Sequence, residues 1–104
     1  MEDSDKPGEW ELRREIEQTA LELDRSRIEF LSTDLDVTLT MTQVASAAAS
    51  GSEKRERNVR NARHAYDVIT HLRESVDAGP EINRELDEKL HQLRAALTAL
   101  GEKF

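Results

Sequence analysis

The stretch Leu31-Ser32-Thr33-Asp34-Leu35-Asp36-Val37-Thr38-Leu39-Thr40-Met41 decides the fold. Leu35, Val37, Leu39 and Met41 alternate with Asp and Thr, which is the period of a half-buried strand. A lone strand among helices, however, would leave its ladder groups unpaired. Read as a helix, Leu12, Ile16, Ala20, Leu23, Phe30, Val37, Met41, Val44, Ala45 and Ala48 share an arc of roughly 120°. Leu21, Ile28, Leu31, Leu35 and Leu39 widen that arc on one flank. The phase carries through Ser32-Thr33-Asp34, where good capping residues would otherwise open a new helix. One long helix over 9–49 is expected, and a turn near residues 32–34, giving a four-helix bundle, is the alternative.

Two breaks follow. Gly51, between Ser50 and Ser52, suits a left-handed residue after a helix, and Ser52 can cap the next one. Gly79-Pro80-Glu81 opens a third helix, with Pro at a first position and an acid that suits the dipole. Over 52–77, Val59, Ala62, Ala65, Tyr66, Ile69, Leu72 and Val76 gather on one face. Over 80–100, Ile82, Leu86, Leu90, Leu93, Leu97 and Leu100 form a leucine ladder. The expected fold is all-α, an antiparallel three-helix bundle with a long first helix. Residues 1–8 read as a disordered lead and 9–104 as one domain. The expected core is Ile16, Leu23, Phe30, Leu35, Val37, Met41, Val44, Ala48, Val59, Ala62, Tyr66, Ile69, Val76, Ile82, Leu86, Leu90, Leu93 and Leu97.

Composition narrows the function. The chain has 104 residues, 36% charged and 37% hydrophobic, with a net charge of -7 and no cysteine. The missing thiols exclude disulfides, thiolate metal sites and Cys nucleophiles, and they fit a reducing compartment such as the cytoplasm. The acidic balance speaks against broad binding to nucleic acid or anionic membrane. The acidic stretch Met1-Glu2-Asp3-Ser4-Asp5 does not read as a secretory signal. No Gly-rich phosphate loop, nucleophile elbow or inward acid pair is present, so no catalytic residue and no cofactor are expected. His64, Asp67 and His71 share one face and could hold a metal, but on the side expected to face water. Glu88-x-x-His91 has the spacing used in di-iron bundles, which need two such motifs. A non-enzymatic protein-interaction or scaffold module is therefore expected.

The basic run Lys54, Arg55, Arg57, Arg60 and Arg63 opens a helix, where positive charge opposes the dipole. It suits an acidic partner, and it supports the alternative of a nucleic-acid-associated regulator using residues 54–63. Pairs such as Glu53–Arg57 and Glu56–Arg60 would instead make it a solvated face. A metal-binding bundle through His64, Asp67 and His71 is the second alternative.

The pattern Asn58-x-x-Asn61-Ala62-Arg63-x-Ala65-Tyr66-Asp67, between a small-residue helix and a Leu-rich one, resembles small uncharacterised bacterial all-α proteins. It is also distantly similar to tetratricopeptide-like helical hairpins, over roughly residues 28–100. The resemblance implies an α-hairpin scaffold and protein interaction. It carries over no functional residue, and no 34-residue repeat is visible.

The length of the first helix has a consequence. About 40 residues span about 60 Å, against about 39 and 31 Å for the other two. Leu12, Ile16, Leu21 and Leu23 would then project uncovered, and such patches meet partners. Trp10 is half-buried if it staples the helix and an anchor if it is exposed. The expected partner-binding residues are Trp10, Leu12, Ile16, Leu21, Leu23, Arg57, Arg60 and Arg63. The expected partner is a second copy, paired antiparallel, or another protein, with no nucleic acid and no membrane.

Overall fold

A computed structural model describes residues 5–104 and gives an antiparallel array of three helices, with no strand among the described residues. Helix α1 spans Asp5–Ala47, α2 Glu53–Arg73 and α3 Pro80–Ala99. Both shorter helices pack chiefly on α1 and less on each other. Helix α1 runs unbroken through Ser32-Thr33-Asp34, so the four-helix alternative does not form. It starts inside the stretch expected to be a disordered lead; residues 1–4 lie outside the described residues. Helix α2 ends at Arg73 rather than 77.

The turns follow from local chemistry. Ser52 caps α2, its Oγ accepting from the Arg55 amide at 3.2 Å. The Arg55 guanidinium reaches back to the Ala45 carbonyl, 3.3 Å away, and ties α2 to the end of α1. Gly51, with φ 76°, takes the left-handed position of this turn. Between α2 and α3, Gly79 sits at φ 89°. Asp77 accepts from the Gly79 amide at 3.1 Å and the Asn83 side chain at 2.9 Å, while Asn83 Oδ1 accepts from the Ala78 amide at 2.9 Å. The Arg73 guanidinium grips both Asp87 oxygens at 2.9 and 3.2 Å, and Lys89 meets Asp36 at 2.8 Å.

The core is a set of heptad seams. Helix α1 buries Leu31, Leu35, Thr38, Thr42 and Ala45, steps of four and three residues. Helix α2 adds Ala62 and Ile69, the turn after it Val76, and α3 Leu86, Leu93 and Leu97. The two threonines are satisfied within their own helix. Thr38 donates to the Asp34 carbonyl and Thr42 to the Leu39 carbonyl, each at 2.6 Å.

This seam corrects the expected core. Ile16, Leu23, Phe30 and Val37 are exposed, and so is Ile82. Met41, Val44, Ala48, Val59, Tyr66 and Leu90 are half-buried. Leu31 and Ala45, absent from the expected set, are buried along with the two threonines. The buried face of α1 lies on the flank of Leu31 and Leu35, about 90° around the helix from the Ile16–Leu23–Phe30 line.

The bond that Asp77 accepts from the Asn83 side chain, and after it the one from the Gly79 amide, hold its carboxyl below the usual carboxylate range. Its contribution to stability is therefore complete above the unfolded value of ~3.9 and is lost as pH falls through the lower folded value. An NMR titration should place the Asp77 midpoint below that of unfolded Asp, and Asn83→Ala should return it toward the ordinary value.

Candidate interaction surface

Every residue from Gly8 to Arg27 is exposed, and the first side chain that packs against the bundle is that of Ile28. The reason is length. Helix α1 has 43 residues, while α2 has 21 and α3 has 20. At 1.5 Å per residue α1 extends about 65 Å and each partner helix about 30 Å. The molecule measures 75 Å in its longest dimension and 27 and 19 Å in the others. A projecting helix of this kind has only its own propensity and side-chain pairs to hold it, since tertiary packing supplies most helical stability in proteins. Among the described residues one ion pair forms there, Asp24–Arg27 at 3.9 Å, and both partners are exposed.

The projection is apolar along one line. Leu12, Ile16 and Leu23 lie on it, and so do Phe30 and Val37 further along α1. Exposure along that line runs from 61% at Ile16 to 46% at Val37. The steps 16, 23, 30 and 37 are seven residues each, so this is a second heptad stripe beside the one the bundle buries. The line continues over the bundle, where Phe30 and Val37 stay uncovered because α2 and α3 sit on the neighbouring face. Leu21 belongs to the other stripe: it precedes Ile28 by seven residues, beyond the reach of the shorter helices. Trp10 is 66% exposed rather than half-buried, with the Arg13 guanidinium 5.4 Å from its ring centre.

The basic run divides. Arg63 is engaged within the fold. It donates to the Lys103 carbonyl at 2.6 Å, lies 3.5 Å from Glu102 and 3.2 Å from Asp67, and stacks on Phe104 at 4.1 Å. Arg94 covers the same ring at 4.9 Å, and Tyr66 meets its edge at 5.0 Å. The clamp on residues 102–104 is absent from the sequence reading; Gly101, with Phe104 three residues on, is its one signal. Arg57 and Arg60 are exposed, and among the described residues neither forms the expected pair with Glu53 or Glu56. The arrangement therefore does not bring Arg63 together with Trp10, Leu12, Ile16, Leu21 and Leu23, which lie at the other end of α1.

His64, Asp67, His71 and His91 are exposed, and Asp67 is held by Arg63. Among the described residues no three His, Asp or Glu side chains are grouped as a metal ion would require. No described helix is long and apolar enough to cross a membrane. Comparison with protein-family models, curated proteins and solved structures finds no match to this chain.

Truncation separates the two stripes. Leu35→Ala, at a fully buried position, should cost about 2–5 kcal/mol of unfolding free energy. Leu23→Ala should change it by no more than about 0.5 kcal/mol in dilute solution. Urea denaturation of the two variants checks the contrast.

Proposed function

We propose that the chain is a non-enzymatic protein-interaction module of the cytoplasm, working through the projecting half of α1. One observation carries this reading: residues 8–27 are all exposed, yet they include Trp10, Leu12, Ile16, Leu21 and Leu23. Apolar side chains concentrated on one uncovered helix mark a surface that meets another polypeptide. Burying four of them would contribute about 6–12 kcal/mol at about 1.5–3 kcal/mol each, against an association cost of similar size. The margin suits a reversible partner. An amphipathic helix supplies its contacts at steps of three, four and seven residues, and Leu12, Ile16 and Leu23 follow one another at steps of four and seven. The cytoplasmic placement rests on a chain without cysteine.

The basic run takes a smaller part. Arg57 and Arg60 remain available for an acidic partner, while Arg63 is committed to the segment 102–104. The nucleic-acid reading, which needs all of them together, has less to stand on, and the net charge of -7 works against it.

A photo-cross-linking residue at position 23, in cells that make the protein, tests the proposal. A covalent adduct with another polypeptide is expected there. None is expected from the same probe at Gln18, which lies off the apolar line. Adducts that fail to form at position 23, or that form equally at both positions, would contradict it.

A further inference from the structure

We infer that the partner on this stripe is a second copy of the chain, paired parallel and in register along α1, rather than antiparallel as the sequence alone leads one to expect. The inference rests on the interaction reading above and deepens it. It begins from the heptad. With Ile16, Leu23, Phe30 and Val37 at one set of seam positions, the other set is Leu12, Thr19, Ser26 and Thr33. The seam runs from Leu12 to Val37, between three and four heptads, the range in which such a repeat argues for a coiled coil.

Three of the four residues of the second set carry hydroxyls, and α1 itself shows how they are accommodated. On its buried seam Thr38 and Thr42 occupy equivalent steps, fully covered, each with its hydroxyl bonded to a carbonyl of the same helix at 2.6 Å. Threonine on a heptad seam is thus already a working part of this helix. A pairing built this way is weaker than an all-leucine one and stays reversible.

Charge selects the direction. The residues flanking the seam on one side are Glu15, Glu22 and Glu29; on the other they are Arg13, Ala20 and Arg27. Flanking charges set orientation in coiled coils. Antiparallel pairing matches each side with its own kind, so in the register that aligns the two seam sets Glu15 faces Glu29, Glu22 faces Glu22 and Arg13 faces Arg27. Parallel pairing matches one side with the other five residues on, and sets Glu22 against Arg27 of the copy twice over. Glu15 then meets Ala20, which is neutral. Glu29 meets Asp34, a like-charge pair, so the favourable match lies in the projecting segment and is opposed where the bundle begins; the aligned antiparallel register, by contrast, has only like-charge flank pairs among these residues. The seam lies about 90° around α1 from the face the bundle buries, so pairing along it needs no displacement of the buried seam.

The chain has no cysteine, so a single introduced thiol reports the geometry. Across a parallel two-fold, Ser26 faces Ser26; in the antiparallel register that aligns the two sets, it faces Ile16. The Ser26→Cys protein, equilibrated in a glutathione redox buffer, should form disulfide-linked dimer at least ~10-fold more completely than a Gln18→Cys control, because pairing raises the local thiol concentration toward millimolar. Sedimentation of the unmodified protein should show a dimer that Ile16→Glu with Leu23→Glu converts to a monomer of unchanged helical circular dichroism. Cross-linking confined to a mixture of Ile16→Cys and Ser26→Cys proteins would overturn the parallel arrangement. A protein that sediments as a monomer at ~100 μM, far above micromolar dissociation constants, would overturn self-pairing. The interaction reading would survive that result if the photo-adduct at position 23 contained a different protein.

Discussion

A helix can present more apolar stripes than its neighbours can cover, and this mismatch organises the whole molecule. Helix α1 has two, about 90° apart. The bundle uses the one through Leu31, Leu35, Thr38, Thr42 and Ala45. Helices α2 and α3 are each about half as long as α1 and pack on a single side of it. The other stripe stays in water along its length, and the first stripe also runs out of cover before Ile28. Everything proposed about function comes from that uncovered surface.

The covered half is held by several independent devices. The seam residues interlock Leu35, Ile69 and Leu93, all with no exposed surface. Arg55 pins α2 to the end of α1, Arg73 pins α2 to α3, and Lys89 pins α3 to α1. The segment 102–104 folds back onto α2 through Arg63 and Tyr66. None of these reaches past Ile28. The molecule therefore combines a well-tied bundle with a helix that is exposed from Gly8 to Arg27, a combination that makes sense when a second chain covers it.

Much of the architecture is legible in the sequence because it is written in periodicity and turn chemistry. The leucine ladder from Leu86 to Leu97, the Ser52 cap and the Gly79-Pro80 break all stand where their chemistry puts them. The continuity of α1 through Ser32-Thr33-Asp34 also follows, because the apolar phase outweighs good capping residues. The phase of the core on α1 does not follow. Hydropathy favours the line of Ile16, Leu23, Phe30 and Val37 and counts Thr38 and Thr42 as polar. Their hydroxyls bond back to the helix and leave methyl groups to pack, so the less apolar stripe is the buried one. Hydropathy states what could be buried, and the neighbours decide what is. The Arg63 clamp was out of reach for a similar reason: it joins residues some 40 positions apart with no repeating pattern to announce it. Length alone makes the exposure of Leu12 and Leu21 legible, since three unequal helices leave the longest one bare; Ile16 and Leu23 also fit the expected core, and Trp10 fits a half-buried staple, so their full exposure is seen only in the structure.

Amide hydrogen exchange along α1 tests the two-stripe account most directly, measured over a range of protein concentrations. Residues 31–47 should be protected at every concentration, because the bundle covers them within one chain. Residues 9–27 should exchange rapidly in dilute protein and become protected as concentration rises, in step with pairing. Protection of 9–27 that is full and independent of concentration would contradict the account, since it would mean that the chain covers this segment itself.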